Sequence, residues 1–177
     1  MKENISVLIS EQEIQKRVTE IAEQISKEFE GKTVTLICIL KGGVVFMVDL
    51  AKKIKTNVEL EFMDVSSYGS GTVSSGNIKI NKDLENPIED KNVIIVEDII
   101  DSGRTLNYLS RYLKDKKPAA LKICTLFDKP SRRVFDINVD YTGFEIPNEF
   151  IVGYGLDYAE KYRNLPYIGI LSFEEEK

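Results

Sequence analysis

The chain contains no histidine, and that absence narrows its chemistry more than any other compositional fact. Ser-His-Asp and Cys-His relays are impossible, and so is a zinc site with imidazole ligands. Acid–base work falls to Asp, Glu, Lys, Tyr or Cys. A bound metal would be a hard cation on oxygen ligands, which points to Mg2+ or Mn2+. Only two cysteines occur, Cys38 and Cys124, far apart and each inside an apolar run. They read as buried reduced thiols, not as a disulfide framework. No apolar run nears the ~20 residues of a membrane span, so no membrane partner is expected. The first residues, MKENISVLIS, lack a signal-peptide pattern, and a cytoplasmic protein is expected. A basic excess is missing too. The formal net charge is −5, which argues against nucleic acid as a partner. A phosphate-binding site in such a chain has to concentrate its own positive charge.

What is present fits one soluble domain. The 177 residues are enough to bury a core, and the 42% hydrophobic and 30% charged residues are an ordinary balance. Ser10 to Glu13 reads as a capping box. Ile14, Val18, Ile21, Ile25 and Phe29 follow at steps of three and four, with Gly31 as a stop, which predicts an amphipathic helix. Thr33 to Leu40 is apolar and β-rich, suited to a strand buried on both faces. Lys41-Gly42-Gly43 interrupts it, and Val44 to Ile54 reads as a helix. From Val58 to Val65, Val58, Leu60 and Phe62 alternate with Glu59 and Glu61, which predicts a half-exposed strand with the glutamates outward. Further strands are expected at Ile78–Ile80, Val93–Val96, Leu121–Phe127, Phe150–Tyr154 and Tyr167–Leu171. A helix carries Leu106, Leu109, Ser110 and Leu113. The alternation predicts an α/β fold: a central, mostly parallel sheet flanked by helices, with a site at the carboxyl ends of its strands. Ser66 to Gly76, with five serines and three glycines, reads as either a loose surface loop or a lid over substrate.

The chemistry is densest at residues 93–106, V-I-I-V-E-D-I-I-D-S-G-R-T-L. An apolar strand runs into Glu97 and Asp98, and a loop with Asp101, Ser102 and Gly103 leads to a helix starting near Arg104 or Thr105. A helix start offers free amides and partial positive charge, Gly103 admits close approach, and Ser102 and Thr105 add hydroxyls. This is a phosphate cradle. The carboxylates beside it would repel bare phosphate. They suit a ribose diol, held directly or through Mg2+, while Asp101 could take a proton. The plain alternative is an acidic turn capped by Asp101 or Ser102.

This stretch resembles the phosphoribosyl pyrophosphate signature of type I phosphoribosyltransferases, and its E-D-I-I-D-S-G form resembles the hypoxanthine-guanine branch in particular. L-K-G-G at 40–43, S-S-Y-G-S-G in the 66–71 region, D-K-P-S-R-R at 128–133 and G-F-E-I-P-N-E-F-I-V-G-Y-G-L-D-Y at 143–158 look like the same family, in its usual order. The resemblance implies a single domain over 1–177, with a core at about 30–165 and a small hood from the terminal segments. It implies transfer of ribose 5-phosphate from phosphoribosyl pyrophosphate to an oxopurine base, with Mg2+, in a homodimer or homotetramer. Glu97 and Asp98 match the pair that contacts the ribose hydroxyls and metal. Asp101 matches the residue proposed to take the N7 proton. Asp101, Ser102, Gly103, Arg104 and Thr105 match the 5′-phosphate loop, Arg104 standing where some members carry lysine. Lys41, Gly42 and Arg163 match pyrophosphate contacts, and the Leu40–Lys41 bond is a candidate cis peptide. Lys129, Phe150, Ile151 and Asp157 match positions around the base: Lys129 donates to O6, Phe150 stacks, Ile151 faces the base edge, and Asp157 also ligates a second Mg2+. Ser67 and Tyr68 match the tip of a mobile loop.

Rival readings are weaker. A regulator of the same fold that binds nucleic acid conflicts with the charge and with retention of the catalytic positions. A transferase for pyrimidines or xanthine is less favoured, though Lys129 and Phe150 do not exclude xanthine. No G-x-x-x-x-G-K-[ST] occurs, and G-S-G-T-V-S at 69–74 falls short of a dinucleotide fingerprint.

Overall fold

The computed structural model describes residues 2–67 and 78–174. Strand β1 (Lys2–Ile9) is followed by helix α1 (Glu11–Glu28), β2 (Val34–Leu40), α2 (Val44–Lys53), β3 (Val58–Ser67), β4 (Ile78–Lys82) and β5 (Asn92–Ile100). Then come α3 (Arg104–Lys114), β6 (Ala120–Asp128), a 3-10 turn (Pro130–Arg132), β7 (Tyr141–Glu145), β8 (Ile151–Val152) and β9 (Ile168–Glu174). The central six-stranded sheet has the order β4-β3-β2-β5-β6-β7. Its strands are parallel except β4, which runs antiparallel to β3.

Helix α1 starts where the sequence places it. Ser10 Oγ accepts from Glu13 N, and Glu13 Oε2 accepts from Ser10 N at 2.8 Å, so two otherwise unpaired amides are satisfied. Its buried stripe is Ile14, Val18, Ile21, Ala22 and Ile25. The apolar runs of β2 and β5 split between two cores. Leu36, Cys38, Ile94 and Val96 join α1 and α2 on one face. Ile37, Ile39, Val93 and Ile95 join Leu106, Leu109 and Leu113 of α3 on the other. Coverage of both faces is why these strands do not alternate polar with apolar.

The structure corrects several expectations. Glu61 is buried, while Leu60 is 45% exposed. The Glu61 carboxylate accepts from the backbone N–H groups of Glu85 and Asn86 at 3.0 and 3.1 Å and from Asn86 Nδ2 at 2.7 Å. It thereby fastens the 84–86 turn over the Met63 face, so Glu61 turns inward while Glu59 stays exposed and Val58 and Phe62 pack on the opposite core. Strand β5 does not stop at Val96 but runs through both carboxylates to Ile100. The strands at Ile151 and Ile168 leave the central sheet. With β1, which periodicity did not reveal, they form an antiparallel sheet β1-β9-β8, a small hood built from both ends of the chain. Ser67 is not a loop tip: it ends β3 in register with Ile78. Tyr68 and most of the 66–76 loop lie outside the described residues.

At the outer edge of the central sheet, Arg17 of α1 reaches β7. Its Nε donates to Gly143 O at 2.9 Å and its Nη2 to Thr142 O at 2.6 Å. Among the described residues no helix is long and apolar enough to cross a membrane.

Candidate active site

Strands β2 and β5 lie side by side and deliver their carboxyl ends to one place. At the end of β5 the chain turns through Asp101 and Ser102 to Gly103, whose φ of +80° a side chain would resist. A Cβ there would also meet Ile137 Cδ1 at 2.9 Å. The turn is held from behind, because Ser102 O accepts from Val134 N at 3.0 Å and Phe135 N at 3.1 Å. Helix α3 then begins without a side-chain cap among the described residues. Ser102, one residue before the cap position, accepts at Oγ from Arg104 N at 3.4 Å, and Asp101 pairs with Arg132. The amide end of α3 faces a cavity of about 250 Å³. Glu97 and the whole 101–105 turn wall that cavity over a floor of Ile39, Val65 and Leu106. Thus Glu97 at the strand end and the amide-lined turn share one pocket.

Glu97 and Asp98 divide their directions. Glu97 lines the cavity, whereas Asp98 Oδ2 lies against Gly42: a Cβ on Gly42 would fall 1.6 Å from it. Asp98 Oδ1 accepts from Ile99 N at 2.7 Å. Both carboxyls are buried. Burial is the main cause that pushes Glu97 well above the ordinary carboxylate range, with the adjacent Asp98 charge adding to it. Burial also raises Asp98, opposed by hydrogen bonds from Glu97 and Ile99 and by the charge of Arg163. The same two carboxylates push the Cys38 thiol, already raised by burial, up to about 12, so it is no nucleophile.

Beyond Asp98 the Lys41-Gly42 turn packs on the 153–163 segment. The Leu40–Lys41 peptide is cis, as the resemblance suggested. A Cβ on Gly155 would meet Gly42 O at 2.1 Å. Here Lys41, Gly42, Asp98, Asp157 and Arg163 come together. Arg163 Nη2 pairs with Asp157 Oδ1 at 2.9 Å and with Glu160 Oε2 at 3.5 Å. Lys41 Nζ reaches Glu160 Oε2 at 3.2 Å. Asp157 Oδ2 accepts from Glu160 N at 2.8 Å, so Asp157 stands on this side of the site. Among the described residues no three His, Cys, Asp or Glu side chains converge into a metal cage. The donors instead form a pair, Glu97 and Asp98, and a separate Asp157. One or two carboxylates completed by substrate oxygens are how proteins usually hold Mg2+.

On the other flank, Lys129 Nζ donates to Glu149 O at 2.7 Å. Burial lowers the Lys129 pKa from its ordinary 10.5, against the charges of Asp101 and Glu149. Phe150 would pass for a core residue by sequence alone, yet it is 51% exposed. It meets Tyr158 edge-on at 5.7 Å, and Tyr158 meets Phe173 at 5.4 Å. Ile151 is buried in β8. An exposed aromatic backed by two more, beside a buried ammonium, is a wall for a flat oxo-bearing ring.

The model of the phosphoribosyl transferase domain matches residues 7–159. The chain belongs to the phosphoribosyl transferase family. A hypoxanthine-guanine phosphoribosyltransferase of Bacillus subtilis is 55% identical over 172 residues, 97% of this chain and 96% of that one. The bifunctional protein TilS/HprT of Listeria monocytogenes is 55% identical over 168 residues, and the chain spans only 26% of that longer protein. The crystal structure of a hypoxanthine-guanine phosphoribosyltransferase from Bacillus anthracis superposes with a TM-score of 0.91 at 48% identity, covering 97% of this chain and 100% of that one. The mostly parallel sheet with its hood is thus the type I phosphoribosyltransferase fold.

Two residues in the site were not singled out from sequence. Arg132 pairs with Asp101, Nε to Oδ1, at 2.5 Å. Glu160 holds both Lys41 and Arg163. Arg132 lay within the quoted D-K-P-S-R-R motif, but nothing in the string separates it from Arg133. That neighbour turns away to pair with Asp128 and to reach Ile137 O. Glu160 had no signal beyond its place three residues after Asp157.

Proposed function

We propose that this member of the family is a purine salvage transferase, converting hypoxanthine, and guanine as well, with phosphoribosyl pyrophosphate to IMP or GMP and pyrophosphate. The observation that carries the reading is the single cavity walled by both Glu97 and the 101–105 turn. Its neighbours supply the rest: two cations at Lys41 and Arg163 on one side, and Lys129 with Phe150 on the other.

The amides of Ser102 to Thr105 would grip the 5′-phosphate, with Arg104 at the helix start. Glu97 and Asp98 would hold the ribose hydroxyls and Mg2+, and Asp157 a second Mg2+; bound there, the ion neutralises charge on the leaving pyrophosphate. Lys41 and Arg163 would add two positive charges to the same group. As the anomeric C–O bond breaks, positive charge grows on the sugar, and buried carboxylates beside it tolerate that charge. Asp101 would remove the N7 proton so that N9 attacks. Lys129 donates and cannot accept, so it would favour an oxo group over the amine of adenine. Phe150 would stack on the purine, Ile151 would offer backbone to its edge, and Ser67 and Tyr68 would belong to a segment that covers the reacting centre. We further propose one domain over 1–177 in a cytoplasmic homodimer or homotetramer.

The test is to incubate the protein with phosphoribosyl pyrophosphate, Mg2+ and each of hypoxanthine, guanine, xanthine and adenine. Nucleotide should form with the first two and not with adenine. No nucleotide from either would overturn the reading. Asp101→Asn should retain the fold and lose about 10²–10⁴-fold in kcat.

A further inference from the structure

Asp101, the base in the reaction above, is not a lone carboxylate. Its Oδ1 accepts from Arg132 Nε at 2.5 Å, in a pair whose side chains are each about half exposed, 47% and 50%. Exposed pairs of this kind add little stability, so the pair needs another explanation. The geometry around it supplies one. Arg132 ends a 3-10 turn that opens with Pro130, which presets the backbone there. That turn is tied to the β5 terminus by the bond from Lys129 N to Ile100 O at 3.0 Å. From this one turn two donors reach the same loop: Arg132 Nη1 to Asn148 Oδ1 at 3.4 Å, and Lys129 Nζ to Glu149 O at 2.7 Å. The next residues in that loop are Phe150 and Ile151. Arg132 therefore bridges the proton acceptor and the wall on which the purine would lie, using only one oxygen of the carboxylate.

We propose that Arg132 is a positioning residue for the base: it fixes the rotation of Asp101 through Oδ1, aims Oδ2 at the purine, and sets the Phe150 loop through Asn148. The proposal rests on Asp101 being the proton acceptor. Its guanidinium fork is required because one ammonium does not hold two oxygens in fixed relation.

The test is a kinetic cycle on purified full-length protein with Arg132→Gln, Arg132→Lys, Asn148→Ala, Asp101→Asn and the double variant Arg132→Gln/Asp101→Asn. Arg132→Gln should lower kcat about tenfold and raise KM for hypoxanthine, with KM for phosphoribosyl pyrophosphate unchanged. Arg132→Lys should restore most of kcat but not KM for the base, and Asn148→Ala should raise that KM alone. In the Asp101→Asn background, removing Arg132 should cost no further kcat, because its effect runs through Asp101. Full multiplication of the two kcat losses, or wild-type kinetics in Arg132→Gln, would overturn the positioning role while leaving the transferase reading intact. Undiminished kcat in Asp101→Asn would instead remove the assigned base itself, and this proposal with it.

Discussion

Gly42 offers a sharp test of how the site is assembled. Replacing it with alanine adds one carbon, and that carbon would stand 1.6 Å from Asp98 Oδ2 and 2.7 Å from Asp98 Cγ. Non-bonded carbon and oxygen settle at roughly 3.2–3.5 Å, so well over 1 Å must be found. Neither side yields cheaply. Asp98 is buried, and turning its carboxylate breaks the 2.7 Å bond from Ile99 N. Moving the Lys41-Gly42 turn drives Gly42 O into Gly155, where there is no room even for a Cβ. Overpacking of this sort costs about 1–3 kcal/mol, which in a chain of this size lowers Tm by roughly 2–12 °C. The larger effect should fall on chemistry: a misplacement near 1 Å between ribose carboxylate and pyrophosphate turn costs on the order of 10²-fold in kcat/KM for phosphoribosyl pyrophosphate. The assay is nucleotide formation at saturating hypoxanthine with varied phosphoribosyl pyrophosphate, beside thermal melts with and without it. A Gly42→Ala protein with wild-type Tm and wild-type kcat/KM would refute the close packing of Asp98 on this turn.

Other consequences can be measured in the same way. Glu160→Gln frees Lys41 from a competing carboxylate and leaves Arg163 paired with Asp157 alone, so Kd for Mg2+-pyrophosphate by calorimetry should fall a few-fold; an unchanged or weaker Kd would mean that Glu160 does not compete. Lys129→Gln should raise KM for hypoxanthine tenfold or more and spare KM for phosphoribosyl pyrophosphate, since a charged donor to O6 and the tie to Glu149 O go together; equal effects on both KM values would sink its assignment to the base. Glu28 is held below its ordinary 4.5 by hydrogen bonds from Lys122 and Tyr141. A lowered folded-state value contributes stability above the unfolded value and loses it as pH falls through the folded one. Glu28→Gln should therefore lower Tm by about 1–3 °C at pH 7, and the difference should shrink as pH falls below 4.5, as read from melts across that range.

Much of the fold could be read from residue order because it follows from local rules. The Ser10–Glu13 box, the 3.6-residue stripe of α1 and the unbroken apolar runs of β2 and β5 each specify their element without distant help. The site was legible for a related reason: 97–105 is one continuous segment that carries its own turn, its own amides and its own carboxylates. What failed depended on partners remote in sequence. The inward turn of Glu61 is decided by amides at 85 and 86. The hood needs β1 to find β9, more than 150 residues away, so the strands expected at Phe150–Tyr154 and Tyr167–Leu171 were foreseen but their pairing outside the central sheet was not. The exposure of Phe150 depends on where that hood sits against the central sheet. Arg132 and Glu160 escaped notice because a charged surface residue becomes part of a site only through what lies opposite it.

The contact between Arg17 and β7 also guards one border of the central sheet. A strand at a sheet border normally offers its carbonyls to any passing backbone. Here a guanidinium from α1 already occupies those of Thr142 and Gly143, so an intruding strand would have to evict an arginine and lift a helix. The far border is the short β4, where Lys79 projects an exposed charge. Addition of a further strand to the central sheet is hindered at the first border by that arginine and discouraged at the second by the lysine.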